Sequence, residues 1–395
     1  MKFAHIADSH LGAWRQPELQ ELNTESFKQA IKICIEEKVD FILFAGDLFD
    51  SAFPSIEILK ETFAEFKKLK DAGIKSYVIA GSHDYSVSGK TFLDVLEKAG
   101  FCKICEYEEN EEEAILKPLK HETFHIYGYP GKKSGLEVPS LKKIKIQEPY
   151  ENNFRILMLH TTISEIKEME NLPIEKVSLD EVPPADYYAL GHIHIKFQEE
   201  YKGKPVIYGG PTYPNNFKEL KDLMYGYFYI VDVEGYTKIT KKEIKLKDPI
   251  YFEIKLDDAI NGTQKILLEL QKQDLKDKII LLKVHGTLKQ GKQSDINYKE
   301  IQEYIEKQGA YSFLKNTSKL ETAKTDIQIE LQTKEKEKIE ELLIKKYEIE
   351  NPSKLNHLIL PLMESLNKDK QEGETATTFE KRILGEMNKV LGVEL

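Results

Sequence analysis

Asp8-Ser9-His10, Gly46-Asp47, Gly81-Ser82-His83-Asp84, His160 and Gly191-His192-Ile193-His194 each stand directly after a short apolar run in this 395-residue sequence. Five of the ten histidines and two aspartates share that position. Imidazole and carboxylate together suit borderline divalent metals such as manganese, iron or zinc. Magnesium or calcium alone would call for oxygen ligands. Seven such groups exceed what one ion needs and match two ions sharing a bridging carboxylate. Two ions about 3.5–4 Å apart can activate a hydroxide and clamp an in-line displacement at a phosphate ester. One histidine at a strand end is usually an ordinary surface or core residue, but five in the same topological position form a pattern that chance rarely makes. Gly46, Gly81 and Gly191 precede the ligands and permit the sharp turns that aim side chains at a common point.

The elements that must position these groups are legible as well. KFAHIA (2–7), DFILFA (40–45), SYVIA (76–80), FRILML (154–159) and YYAL (187–190) have strand length and are rich in β-branched or aromatic residues. Between the first three lie helical patterns. ESFKQAIKICIEEK places Phe27, Ile31, Cys34 and Ile35 on one face. PSIEILKETFAEFKKLKDAG has Pro54 as a start signal and Gly73 as a stop. Strands alternating with helices predict a layered α/β domain over about 1–240, with ligands at the carboxyl edge of its strands. A strand–helix–strand–helix–strand unit (YFEIKL, TQKILLELQKQ, IILLKVHG, YKEIQEYIEKQ, AYSFLK) predicts a small α+β domain over 248–325. From 334 to 395 the chain reads as charged helices. Their stripes are Ile339/Leu342/Leu343, Leu355/Leu358/Ile359/Leu362/Leu366 (interrupted by Pro361) and Phe379/Ile383/Met387/Val390/Leu391. Residues 369–378 read as a linker, and the acidic stretch 106–113 as a solvated loop.

Composition narrows the function. Acidic residues number 67 against 57 basic ones, a formal charge of −10, which disfavours a protein that merely coats nucleic acid with positive charge. Three cysteines exclude a disulfide scaffold and suit a reducing, cytoplasmic setting. No apolar run is long enough to span a membrane.

The motifs D-x-H, G-D, G-x-H-D, H and G-H-x-H, in this order and on these strands, resemble the calcineurin-like metallophosphoesterase superfamily. The segments KFAHIADSHLG, VDFILFAGDLFD and YYALGHIH are similar to the DNA double-strand-break repair nucleases of the meiotic recombination eleven and SbcD family. The resemblance implies a layered metallophosphoesterase core, a small α+β capping domain and a helical tail that docks an ATPase. It implies that Asp8, His10 and His194 hold one metal and that Asp47 bridges. His160 and His192, with position 82, would hold the second. His83 would be the non-ligand histidine that stabilises charge or protonates the leaving oxygen at the scissile phosphate. It also implies two manganese ions (other divalent metals being possible), 3′–5′ exonuclease and single-strand endonuclease activity on DNA ends, a homodimer, and a long coiled-coil ABC-type ATPase partner.

Two positions depart from the family pattern. Ser82 stands where asparagine is usual, and its hydroxyl is a shorter and weaker donor to the second metal. Asp50 stands where many family nucleases carry histidine. It is expected either to accept a hydrogen bond from His83 and fix that ring, or to be a loop acid or helix cap. Two rival functions share the same core. One is a small-molecule or nucleotide phosphodiesterase, and the other a weakly active DNA-end scaffold blunted by Ser82. Lys132, Lys133, Lys142, Lys143 and Lys145, and Lys238, Lys241, Lys242, Lys245 and Lys247, form two basic segments that DNA phosphates could use, although solvated surface is the simpler reading. Cys102 and Cys105 form a lone C-x-x-C with no second pair and read as structural. His5 lies inside the first strand and reads as buried, and Trp14 reads as packing.

Overall fold

A computed structural model of the chain describes residues 1–86, 89, 91–147, 153–167, 173–323, 343–345, 347–348, 355–371 and 374–392. They divide into two compact units, Met1–Glu321 and Thr322–Leu395. The first opens with β1 (Lys2–Ile6), α1 (Pro17–Glu36), β2 (Phe41–Ala45), α2 (Ile56–Asp71), β3 (Lys75–Ile79), α3 (Leu93–Lys98) and β4 (Lys103–Ile104). Then come β5 (Tyr107–Glu109), β6 (Ala114–Leu116), β7 (Leu119–His121), β8 (Phe124–Tyr129), α4 (Val138–Leu141), β9 (Ile144–Ile146), β10 (Phe154–His160) and β11 (Tyr187–Gly191). They are followed by β12 (Gln198–Tyr201), β13 (Lys204–Tyr208), α5 (Phe217–Leu223), β14 (Gly226–Glu234) and β15 (Tyr236–Ile244). Last are β16 (Pro249–Lys255), α6 (Gly262–Leu270), β17 (Ile279–Leu288), α7 (Tyr298–Lys307) and β18 (Ser312–Thr322).

Two six-stranded sheets face each other. One runs β15-β14-β1-β2-β3-β4 and the other β12-β13-β11-β10-β8-β7. β1, β2, β3 and β4 are mutually parallel, as are β8, β10, β11 and β13. The five site strands therefore divide between two sheets, three in the first and two in the second. Each is buried on both faces, which is why they read as unbroken apolar runs. Phe3, Phe41, Leu43 and Tyr77 of the first sheet meet Phe124, Ile156, Met158 and Tyr187 of the second in one apolar layer. Alternate residues Ala4, Ile6, Ile42 and Phe44 point outward and pack with Phe27, Ile31 and Phe66 of α1 and α2.

The helices obey their local signals. α1 starts at Pro17, eight residues before the periodic run begins, because proline at the first helical position needs no hydrogen-bond partner. The added turns bury Leu19 and Leu22. Ser55 caps α2 by accepting from the Ile58 N–H, and the chain turns away at Gly73, whose φ is +76°.

The third sheet, β16-β17-β18, pairs β16 and β17 in parallel across α6 and has its own apolar cluster around Ile254, Ile266, Leu282 and Ile301. A second cluster joins it to the rest of the unit, with Leu19, Leu22, Tyr213 and Leu220 gathered with Ile279, Leu281 and Leu314.

The acidic stretch is only partly a solvated loop: residues 110–112 are exposed and outside any strand. Residues 107–109 form a strand of a small β5-β6-β9 sheet. Glu109 accepts from the Tyr129 hydroxyl at 2.9 Å and pairs with Lys132 at 3.2 Å, while Lys145 pairs with Glu113 at 2.5 Å. The nearby lysines neutralise the run and make a strand tolerable there.

In the second unit α8 (Ile359–Leu366) and α9 (Ala376–Leu391) pack together. Pro361 lies in the first turn of α8, where the missing N–H costs nothing. The segment read as a linker is partly helical, because Thr375 caps α9. Ile339, Leu342 and positions 372–373 lie outside the described residues.

The two sheets approach closely where the site strands end. A β-carbon added to Gly191 would lie 2.1 Å from the Ala45 carbonyl oxygen. Gly191→Ala is expected to destabilise the protein by about 1–3 kcal/mol through overpacking. Urea unfolding followed by circular dichroism measures the shift, and an unchanged midpoint would show that the sheets can part without cost.

Candidate metal centre

The loops after β1 and β2 are zipped together by backbone hydrogen bonds. Asp8 N–H donates to the Gly46 carbonyl at 3.0 Å, His10 N–H to that of Asp47 at 2.9 Å, and Leu11 N–H to that of Leu48 at 2.9 Å. Asn23, fully buried on α1, braces the first loop by donating to the Ser9 carbonyl at 2.9 Å. Asp84 braces the second and third. Its carboxylate accepts from the N–H groups of Gly81 at 2.8 Å, Phe49 at 3.0 Å and Leu48 at 3.3 Å. Burial and the neighbouring Asp47 push the Asp84 carboxyl up to about 6.

Four site residues hold left-handed backbone: Asp8 (φ +54°), His10 (+41°), Asp47 (+48°) and His192 (+98°). Such conformations persist in non-glycine residues only where the surroundings over-determine them, and they concentrate at functional sites. Gly46, at φ +90°, lies against the His160 ring, 2.2 Å from where a β-carbon would sit.

The loops gather three groups of potential metal ligands, one of them His10, Asp50 and His83. Asp8, His10 and His194 offer atoms within 4.8 Å of one another, and so do Asp47, His160 and His192. Asp47 ties them together. Its Oδ2 lies 3.1 Å from His160 Nε2, 3.6 Å from His10 Nε2 and 3.4 Å from the Ser82 hydroxyl oxygen. His160 Nδ1 donates to the Ala45 carbonyl at 2.9 Å, which aims Nε2 at Asp47. His192 N–H donates to Asp8 Oδ1 at 2.8 Å, and His83 N–H to Asp47 Oδ1 at 2.7 Å. Asp8 Oδ2 and His10 Nε2 are buried without a hydrogen-bond partner. Buried polar atoms normally have partners, so this imidazole and carboxylate set fits a divalent cation.

The sequence-predicted residues thus come together: Asp8, His10, Asp47, Ser82, His83, His160, His192 and His194 share one edge of the sheet pair. Asp50 does so differently from expectation. Its carboxylate accepts from His10 Nδ1 at 3.2 Å, whereas His83 Nδ1 donates to the Asp50 backbone carbonyl at 2.9 Å. The carboxylate lies 3.9 Å from His83. The Asp50 N–H bond to the Leu11 carbonyl, 3.2 Å, ties this stretch to the first metal loop and turns the side chain toward His10. Asp50 therefore steadies a ligand ring, and the hydrogen bond from His10 holds its carboxyl below the usual range.

Glu219 was missed by sequence reasoning. Its Oε2 lies 3.0 Å from His194 Nδ1 and accepts from the Asn215 N–H at 2.8 Å. The only local hint is Asn216 three residues earlier, which caps α5 by accepting from the Glu219 N–H at 3.0 Å.

The remaining candidates fall outside the centre. His5 is buried on β1 beside the Tyr187 hydroxyl at 3.1 Å, and burial pushes its ring down to about 3. Cys102 packs into the outer core and Cys105 into the layer between the sheets, both reduced, with burial raising both thiols. Trp14 donates from Nε1 to the Pro214 carbonyl at 3.0 Å. The basic segments are largely paired. Lys142 meets Glu181 at 3.2 Å, Lys143 the Glu111 carbonyl at 2.7 Å, Lys242 Glu37 at 2.6 Å, and Lys247 meets Asp277.

The centre opens into a cavity of about 650 Å³ walled by His10, Asp47, His83, His192, His194 and the α5 residues Lys218 and Glu219. Burial works against the Asp47 charge, but the imidazoles of His160, His10 and His83 outweigh it and hold the carboxyl well below the carboxylate range. Burial likewise opposes the His160 charge, yet Asp47 and then Asp8 push that ring up to about 10. Burial and His160 push His192 down to about 3.

Residues 1–196 match the calcineurin-like phosphoesterase family. The chain is 31% identical over 284 residues to DNA double-strand break repair protein Mre11 of Methanocaldococcus jannaschii, covering 67% of this chain and 74% of that one. It is 25% identical over 312 residues to the protein of the same name from Archaeoglobus fulgidus, covering 73% and 69%. It is 34% identical over 220 residues to that from Sulfurisphaera tokodaii, covering 51% of each.

A histidine must be neutral to ligate a metal. With its pKa at about 10, metal-free His160 carries a proton at pH 7 that an incoming ion must expel. Apparent metal affinity is therefore expected to rise as pH is raised from 6 to 9, with proton release on binding. Calorimetric titration of the metal-free protein with Mn²⁺ in two buffers of different ionisation enthalpy measures that release; identical heats in both would contradict it.

Proposed function

The chain belongs to the Mre11 family of calcineurin-like phosphoesterases and is a metal-dependent phosphodiesterase, and from that membership we propose that it is a nuclease processing DNA ends in double-strand-break repair. The observation that carries this reading is the pair of ligand clusters joined at Asp47, with His83 in the wall of the same cavity. Asp8, His10 and His194 would hold one ion, Asp47 would bridge, and His160, His192 and Ser82 would hold the second. Two manganese ions held there would supply Lewis-acid charge and lower the pKa of a bound water.

The protein's own groups do the rest. Asp50 and Glu219 hold the His10 and His194 rings, and the Ala45 carbonyl holds His160. The Asp50 carbonyl occupies His83 Nδ1 and leaves Nε2 as the ring atom that can exchange a proton with the leaving oxygen. Ser82 turns its hydroxyl toward Asp47, so the second ion gains only a weak neutral donor.

In this reading the activity is 3′–5′ exonucleolytic on duplex ends and endonucleolytic on single strands, within a homodimer in the cytoplasm. Residues 1–240 form the nuclease domain, 248–325 the cap and 334–395 the segment that docks a coiled-coil ABC-type ATPase. The exposed Leu360, Met363, Leu366 and Leu384 of α8 and α9 offer that partner an apolar surface.

Linear duplex and hairpin DNA are expected to be degraded with Mn²⁺ and left intact with chelator. Cleavage restricted to small diesters would favour a nucleotide phosphodiesterase, and binding without cleavage a scaffold. His83→Gln is expected to lower turnover about 10²–10⁴-fold while Mn²⁺ stoichiometry by electron paramagnetic resonance stays at the wild-type value. Ser82→Asn is expected to tighten the weaker Mn²⁺ site in the same titration. Wild-type affinity in that variant would show that position 82 does not limit metal loading.

A further inference from the structure

We propose that a second hollow, sharing His83 and Ser82 as a common wall with the metal cavity, receives the unpaired base adjacent to the scissile phosphate, stacked on Phe53. The inference rests on the DNA reading and names the form of DNA the site takes. The hollow encloses about 540 Å³ and is lined by Asp50, Phe53, Ser82, His83, Tyr85 and Lys133, among others. That is within the size range of small-molecule pockets.

A single exposed phenylalanine on a protein surface means little. Phe53 differs by its position. It is 72% exposed on the bend between β2 and α2, where its backbone N–H is held by the Ser51 hydroxyl at 3.3 Å. No ring among the described residues stacks on it. It lines the same hollow as His83.

The charge pattern agrees. Of the lysines in the 132–145 segment, Lys132, Lys142, Lys143 and Lys145 are tied to acidic side chains or a carbonyl. Lys133, the fifth, is exposed, lines this hollow and has no ion pair among the described residues. It is placed to meet a backbone phosphate. The Asp50 carboxylate, also part of the lining, is engaged by His10, and Ser51, Ala52 and Ser86 contribute uncharged residues. An aromatic platform beside an exposed lysine that has no ion pair among the described residues forms the recognition set for a nucleotide in a single strand. A base can enter only after leaving its duplex partner, so frayed, mismatched and single-stranded ends are the substrates the hollow selects.

The test uses the full chain with Mn²⁺, a single-stranded oligonucleotide carrying 2-aminopurine at the cleavage position, and methyl p-nitrophenyl phosphate as a diester without a nucleobase. Phe53→Ala is expected to lower kcat/KM on the oligonucleotide roughly five- to a hundredfold, to abolish 2-aminopurine quenching, and to leave small-diester hydrolysis and Mn²⁺ affinity unchanged. Phe53→Trp is expected to restore both DNA readouts. Lys133→Gln is expected to reduce the slope of log affinity against log salt by about one. Unchanged cleavage and quenching in Phe53→Ala overturn the proposal, as does equal loss on both substrates. A shift in oligomeric state with DNA cleavage intact assigns Phe53 to a protein contact and also overturns it. If the wild-type chain cleaves the small diester but no DNA, the nuclease reading itself fails and this inference falls with it.

Discussion

The structure is organised around charges that cannot be left alone. Asp8 and Asp47 are almost wholly removed from water, and each lies within about one side chain of several imidazoles. An isolated ion in such a place carries a large desolvation penalty. Their imidazole neighbours offset that penalty: the carboxylates raise His160 and His10, and His160 in turn depresses Asp47. Asp8 Oδ2 and His10 Nε2, buried with no hydrogen-bond partner, are donors that a divalent cation would suit.

Holding that set in place strains the backbone. Left-handed conformations at Asp8, His10, Asp47 and His192 cost on the order of 1–3 kcal/mol each. They are offset by packing that lies elsewhere: the apolar layer between the two sheets, the helices on the outer face, and the buried polar braces Asn23 and Asp84. Gly46 and Gly191 matter for the same reason. They let a ring or a facing strand come closer than any β-carbon allows. The centre is stable because the rest of the unit over-determines the path of its loops.

This division explains what the sequence made legible. The grouping of the candidate residues was readable because the chemistry demands particular residue types, and strand ends are marked by apolar runs that stop abruptly. The five runs became strands and their trailing histidines and aspartates met. Contacts set by folding rather than by spacing were not readable. Asp50 and His83 lie close in the family pattern, yet the carboxylate went to His10, because a backbone bond from Asp50 to Leu11 fixed its direction. Glu219 meets a histidine 25 positions away in the chain through a helix whose docking no local pattern encodes. The first part of the acidic stretch became a strand, with Glu109 paired to Lys132 23 residues later. In each case a long-range electrostatic partner, invisible to periodicity, decided the outcome.

The helix α5 shows how far the centre's influence extends. Glu219 orients His194, while Leu220, the next residue, belongs to the apolar cluster that includes Ile279, Leu281 and Leu314 of the third sheet. Phe217 lies edge-on to Tyr251 of β16, with ring centroids 6.4 Å apart, and the Lys221 ammonium sits over that same Tyr251 ring. One short helix therefore carries both a carboxylate that steadies a metal ligand and the apolar face that seats the third sheet. A seven-residue helix has little stability of its own. Its position is set by what packs on it, so the order of the His194 ring depends on the third sheet being seated. The metal centre and the third sheet are in that sense a single mechanical body, consistent with their falling in one compact unit.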